Sequence, residues 1–248
     1  MAGAKVGISG QINNNIVTDG LVFYIDPAYK KSYPGTGTNV NDLINTAVSG
    51  TLSSSPTFDL TQGNGVFDFD GTDKITYNLG NVLAGSTEMS ISCWMNMQNL
   101  SFKAAFGMNK DNTFNGGDMY NFSCNFYNSQ IRFNIRNGNN PYAYFNGITN
   151  PGTNVWFHYV GVFDGSQSTN ATKNKIYLDG VAQTVVFGGN QPTSLPSFVE
   201  GDNFLVGIGE NLTWHCDGQI GAIQIYNKAL TQTQVSQNYQ AQKERFGL

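Results

Sequence analysis

Charge is what this chain has least of. Charged residues are 12% of its 248 residues, about half the usual share. With 13 Lys and Arg against 17 Asp and Glu, the net charge is -4. No basic patch is available to neutralise phosphates, which argues against a nucleic-acid partner. No apolar run approaches the length needed to cross a bilayer, so no membrane partner is expected. The opening MAGAKVGISGQINNNIV carries one Lys and no apolar core, so no secretory signal is expected there. Cysteine is scarce and odd in number: Cys93, Cys124 and Cys216. Without a CxxC spacing they make neither a disulfide framework nor a zinc site. A reducing place of synthesis fits, with Cys93 read as a buried small hydrophobe. Histidine occurs twice, which limits acid–base and metal chemistry from the outset.

What is present is polar and neutral. Hydrophobic residues make up 40% and aromatics 13%, with 29 glycines. A chain of this length and composition can bury a core without cross-links, and all-β domains of this size are often single. Strand patterns recur at 21–25, 66–69, 74–78, 89–97, 104–109, 119–127, 130–136, 142–146, 155–163, 175–178, 183–187, 203–209 and 218–226. Many short strands separated by turns indicate a sandwich, jelly roll or barrel. Asp179-Gly180 supplies the positive φ angles of a tight hairpin. Residues 30–56, rich in Gly, Ser, Thr and Asn, read as a long loop.

The ends differ from the middle. Residues 1–18 are polar and weakly patterned and read as an extended arm that orders against something else. Residues 19–230 form the β-domain, and residues 231–248 read as a short helix. Thr231 and Gln234 have the capping-box spacing, with Leu230 and Val235 as a hydrophobic staple. Val235, Tyr239 and Phe246 share one apolar stripe. Lys243 and Arg245 suit the negative end of the helix dipole, and Gly247 suits its stop. Such a helix is expected to pack on the edge or end of the sandwich.

Several segments, in order, resemble a known family. They are GLVFYID at 20–26, FDFDGTDKI at 67–75, MSISCWM at 89–95, WFHYVGVFDG at 156–165, KIYLDG at 175–180 and GQIGAIQIYN at 218–227 followed by ALT at 229–231. The set resembles a laminin-G-like, or concanavalin A-like lectin/glucanase, jelly roll. The resemblance implies an all-β sandwich closed by a short C-terminal helix. The ending NYQAQKERFGL at 238–248 is similar to endings in structural proteins of tailed bacteriophages, cyanophages among them. It implies a virion component made in the host cytoplasm, on the capsid or on a tail fibre. The partners implied are other virion proteins, met through the arm, further copies of the chain, and host-surface glycans.

The chemistry follows from the residue types. Asp68 and Asp70 sit at i, i+2, with Cα atoms about 6.5–7 Å apart on one strand face. The glucanase branch alternates Glu-x-Asp-x-Glu, whereas this chain has no Glu there, and Asp70 opens an Asp-Gly turn. His158 lies in an apolar strand and reads as a packed structural histidine. His215 and Cys216 are neighbours, so alternation on a strand points them apart and denies them a nucleophile–base pair. The chain is therefore expected not to be an enzyme, and no cofactor is required. The laminin-G resemblance leaves open one structural calcium, with Asp26, Asp70, Asp73 and Asp217 as the oxygen donors. The sharpest local pattern is a hairpin with a five-residue loop after Arg136. It sets Arg132, Asn134 and Arg136 opposite Asn146, Tyr144 and Tyr142 on one face. Ile131, Phe133 and Ile135 take the other. Aromatic faces and amide or guanidinium donors on one surface suit a carbohydrate ligand.

Overall fold

The computed structural model describes residues 15–79, 81–109, 119–128, 130–138, 144–149, 151–209 and 212–248. The strands run β1 (Leu21–Ile25), β2 (Asn39–Asn41), β3 (Ser49–Ser53), β4 (Thr57–Asp59), β5 (Val66–Asp70) and β6 (Lys74–Asn78). They continue with β7 (Glu88–Met97), β8 (Lys103–Asn109), β9 (Met119–Tyr127), β10 (Gln130–Gly138), β11 (Tyr144–Thr149) and β12 (Trp156–Asp164). After a one-turn helix α1 (Asn170–Lys173) come β13 (Asn174–Leu178), β14 (Val181–Ala182), β15 (Val186–Phe187), β16 (Asn203–Val206) and β17 (Asp217–Tyr226). Helix α2 (Gln232–Gln242) and a 3-10 turn (Lys243–Phe246) end the chain.

Among the described residues the strands form two antiparallel sheets. An eight-stranded sheet has the order β14-β13-β12-β7-β17-β5-β4, with β1 paired to β17. A nine-stranded sheet has the order β15-β11-β10-β9-β8-β16-β6-β3-β2. Their facing sides interdigitate in one apolar core containing Phe67, Phe69, Ile91, Cys93, Phe106, Phe122, Phe133 and Ile223. Two of the strands within 30–56, β2 and β3, correct the expectation of a loop there. Their sequences, NVN and SGTLS, carry little apolar pattern, and the pairing of β3 with β6 and of β2 with β3 is what makes them strands. The hairpin at Asp179-Gly180 forms as the dipeptide demands, with φ of 50° and 78° and Leu178 opposite Val181.

A second apolar layer explains why the eight-stranded sheet is buried on both faces. Ile16, Val17, Tyr24, Trp94, Val160, Tyr226, Leu230, Val235 and Phe246 pack together on its outer side, beneath the C-terminal helix. Strands buried on both faces lose the apolar–polar alternation, as in β7, where eight of ten residues are buried. The cap of α2 is as read. The Thr231 side chain accepts from the Gln234 backbone N–H, and the Gln234 side chain accepts from the Thr231 N–H. The helix lies over the outer face of the sheet, with its start at the edge strand β14, where Gln232 and Ser236 donate to the Gly180 carbonyl. Trp94 stacks on Tyr239 at 5.8 Å and on Phe246 at 4.3 Å. The bulge between Ile220 and Ile223 helps make room. A Cβ on Gly221 would stand 2.9 Å from the Phe246 ring, so only glycine admits that ring.

The expected arm divides at residue 15. Ile16 and Val17 are 2% and 6% exposed. The Val17 N–H donates to Asn238 Oδ1 at 2.8 Å, and Tyr226 donates to the Val17 carbonyl at 3.1 Å. Residues 15–18 are thus part of the folded unit, and residues 1–14 lie outside the described residues.

Candidate functional site

Strands β9 and β10 build the face singled out by the sequence. Their register places Arg132 opposite Asn125, Asn134 opposite Ser123 and Arg136 opposite Asn121. On the other flank Asn134 pairs with Tyr144 and Arg132 with Asn146, the register expected from the hairpin. Tyr142, and with it the expected partner of Arg136, lies outside the described residues. Phe122, Cys124, Phe126, Ile131, Phe133 and Ile135 are fully buried between the sheets. The opposite face is therefore a polar strip on the outside of the nine-stranded sheet. From residue 121 to residue 127 it runs about 20 Å.

The strip is not the open surface that alternation implied. Asn134 is 2% exposed and donates to Ser123 Oγ at 3.2 Å, and Asn121, Ser123 and Asn125 are no more exposed. Arg132 and Arg136 are half-buried beside them. Alternation tells which residues leave the core, not what lies over the outer face. The Arg132 guanidinium stands 4.0 Å over the Tyr127 ring. Among the described residues neither polar atom of the Asn121 amide finds a hydrogen-bond partner. A buried amide left unpaired costs about 1–3 kcal/mol per group, and such a group calls for an explanation. The β9 residues were missed in the sequence because Asn121, Ser123 and Asn125 read as ordinary solvent-side positions.

The four carboxylates considered for calcium do not converge. Asp26 is fully buried and held by Arg245, which donates from Nη1 to Oδ2 at 2.5 Å and from Nη2 to Oδ1 at 2.9 Å. Tyr24 Oη and the Ala28 N–H complete its set of donors. A guanidinium thus stands where a cation was considered, so Asp26 is corrected to a structural ion pair. Asp70 and Asp217 face each other across β5 and β17, at the far end of β17 from Asp26. Asp70 Oδ1 accepts from the Thr72 N–H and hydroxyl, and these donors hold its carboxyl below the usual range. Asp73 Oδ2 accepts from the Asp70 N–H, and burial raises its pKa. Asp217 pairs with Lys103 at 3.7 Å. Among the described residues no three His, Cys, Asp or Glu side chains are grouped to hold a metal. These donors, committed to turns and ion pairs, do not fit a calcium ion.

The remaining titratable groups are structural in their surroundings. Asp68 accepts from Gln219 at 3.4 Å, and burial raises its pKa. Cys216 is fully buried and its thiol is pushed up by burial, which disfavours the thiolate a nucleophile needs. His158 is fully buried against Trp94 and Tyr239, its ring sharing a 2.7 Å hydrogen bond with Ser92 Oγ. Burial lowers its pKa to about 3.

Comparison with known proteins adds the family. A profile described as the concanavalin A-like lectin/glucanases superfamily matches residues 69–236, which include the whole strip. No curated protein matches the chain. Among solved structures, domain 4 of the GH43 extracellular arabinanase of Geobacillus stearothermophilus, in complex with arabinotriose, superposes with a TM-score of 0.60 at 18% identity. That match covers 88% of this chain and 98% of that one. The receptor binding domain of botulinum neurotoxin mosaic serotype C/D gives 0.60 at 17% identity, covering 94% of this chain and 52% of that one. Trypanosoma rangeli sialidase gives 0.58 at 12% identity, over 93% of this chain and only 34% of the sialidase. At these identities the likeness is one of fold.

Proposed function

The chain belongs to the concanavalin A-like lectin/glucanase superfamily, and on that footing we propose that it is a non-enzymatic carbohydrate-binding module. Its ligand is an extended glycan laid along the polar strip of β9 and β10. The observation that carries this reading is the pair of half-buried guanidinium groups, Arg132 and Arg136, set among buried Asn and Ser side chains. Sugar hydroxyl oxygens accept from the forked N–H donors of a guanidinium. The arabinanase domain, solved with arabinotriose, supports a sugar ligand by likeness of fold. Retention of the full chain on immobilised bacterial-envelope polysaccharides tests the reading. Arg132→Ala and Arg136→Ala should abolish retention without lowering the melting temperature. Retention unchanged in both variants would place the ligand elsewhere.

A second part of the proposal concerns where the module works. The phage-like ending supports a place on a virion, on the capsid or a tail fibre, where several copies adhere to host glycans. One structural observation favours it. Residues 15–18 are anchored to α2, on the outer face of the eight-stranded sheet, whereas the strip occupies the outer face of the nine-stranded sheet. A chain docked through its N-terminal residues would present the strip on the opposite side. Removing residues 1–14 should leave a folded module that particles no longer incorporate. Equal incorporation would refute the docking role.

A further inference from the structure

The strip ends at Tyr127 in a different kind of surface. Phe102, just before β8, meets the Tyr127 ring edge-on at 5.1 Å and the Trp214 ring edge-on at 5.6 Å. Trp214 lies near-parallel to Tyr127 at 5.9 Å. Phe102 is 50% exposed, and the other two rings are half-buried. The backbone that presents them is unusual. Phe102 has φ of 56° and Leu212, in the loop that carries Trp214, has φ of 58°. Large L residues avoid this left-handed region. Burial does not offset the strain, since Phe102 and Leu212 both remain exposed. Strained backbone of this kind clusters at functional surfaces.

We propose that Phe102, Tyr127 and Trp214 form a stacking platform for one hexopyranose ring, the end subsite of the glycan strip. The inference rests on the carbohydrate reading above and adds the ring type and its position. The C–H groups that gather on one face of a glucose- or galactose-type pyranose are weakly positive. They are complementary to the negative faces of aromatic rings. The Arg132 guanidinium covers one face of the Tyr127 ring, which leaves stacking chiefly to Phe102 and Trp214 and sets Arg132 beside them as a donor for sugar hydroxyls. It also joins the platform to the polar strip, where Arg132 pairs with Asn125.

The test is saturation-transfer NMR on the full chain, with methyl β-D-galactopyranoside and methyl β-D-glucopyranoside as probes. Saturation should be strongest on the C–H protons of the probe's apolar face. Phe102→Gly and Trp214→Ala should each weaken probe binding about fivefold. Phe102→Gly should leave the melting temperature unchanged or raised, because glycine adopts this φ without strain. Saturation undiminished in both variants but lost in Arg136→Ala would overturn the platform and leave the carbohydrate reading standing. So would a wild-type chain that gives no saturation yet still binds polysaccharide through Arg136. Neither saturation nor polysaccharide binding would overturn both.

Discussion

Lowering the pH from 7.0 to 4.5 should destabilise this protein through one side chain, His158. The imidazole is fully buried against the rings of Trp94 and Tyr239 and bonded to Ser92 through Nε2. Its Nδ1 has no hydrogen-bond partner among the described residues. No acidic group is among the causes of its shift, and burial holds its pKa at about 3. An unfolded histidine titrates near 6.5, so the unfolded chain takes up the proton first. Stability is therefore unaffected well above pH 7 and is lost as pH falls from about 6.5 toward 3. Integrated between pH 7.0 and 4.5, the loss is about 2.5 kcal/mol. Urea unfolding at several pH values measures it, with His158→Phe as the reference. Phenylalanine keeps a ring against Trp94 and Tyr239 but cannot titrate. The variant's absolute stability is immaterial, because the difference in pH slope is the readout. Parallel curves for the two proteins would refute the reasoning.

Three further outcomes follow from the layer beneath the C-terminal helix. Arg245→Met leaves the Asp26 carboxylate buried without its cation and should cost about 3–5 kcal/mol in chemical unfolding. Replacing Asp26 with Leu in the same chain should recover much of that loss. Truncation to residue 15 should leave the melting temperature nearly unchanged, whereas truncation to residue 19 removes buried Ile16 and Val17 and should cost about 3 kcal/mol or more. Phe246→Ala empties the stack on Trp94 and should cost about 3–5 kcal/mol, read as a fall in melting temperature with loss of near-ultraviolet dichroism from Trp94.

What was legible in the sequence was local. The Thr231–Gln234 cap and the Asp179-Gly180 turn depend on neighbours a few residues apart, and both form as read. The register of β10 on β11 also follows from short-range alternation, and Asn134 does face Tyr144. What depends on distant partners was not legible. Arg245 looked like a helix-end cation, yet it reaches Asp26, 219 positions away. The helix looked fit for an edge, because nothing near it reveals that Trp94 waits on a sheet face. Asn134 looked exposed because alternation is silent about what covers the outer side of a sheet. The residues at 39–41 and 49–53 carry almost no strand signal of their own; β6 recruits the second segment, and that segment recruits the first. The three rings at Phe102, Tyr127 and Trp214 share no motif at all and meet only through the fold.

The claim at the centre is that this jelly roll binds a glycan along β9 and β10. Isothermal titration of the full chain with a size series of bacterial-envelope oligosaccharides addresses it directly. The account predicts saturable binding that strengthens with oligosaccharide length up to about the 20 Å of the strip. That binding should be lost in Arg136→Ala and be indifferent to a calcium chelator. Absence of heat with every oligosaccharide, or binding that Arg136→Ala leaves intact, would contradict it.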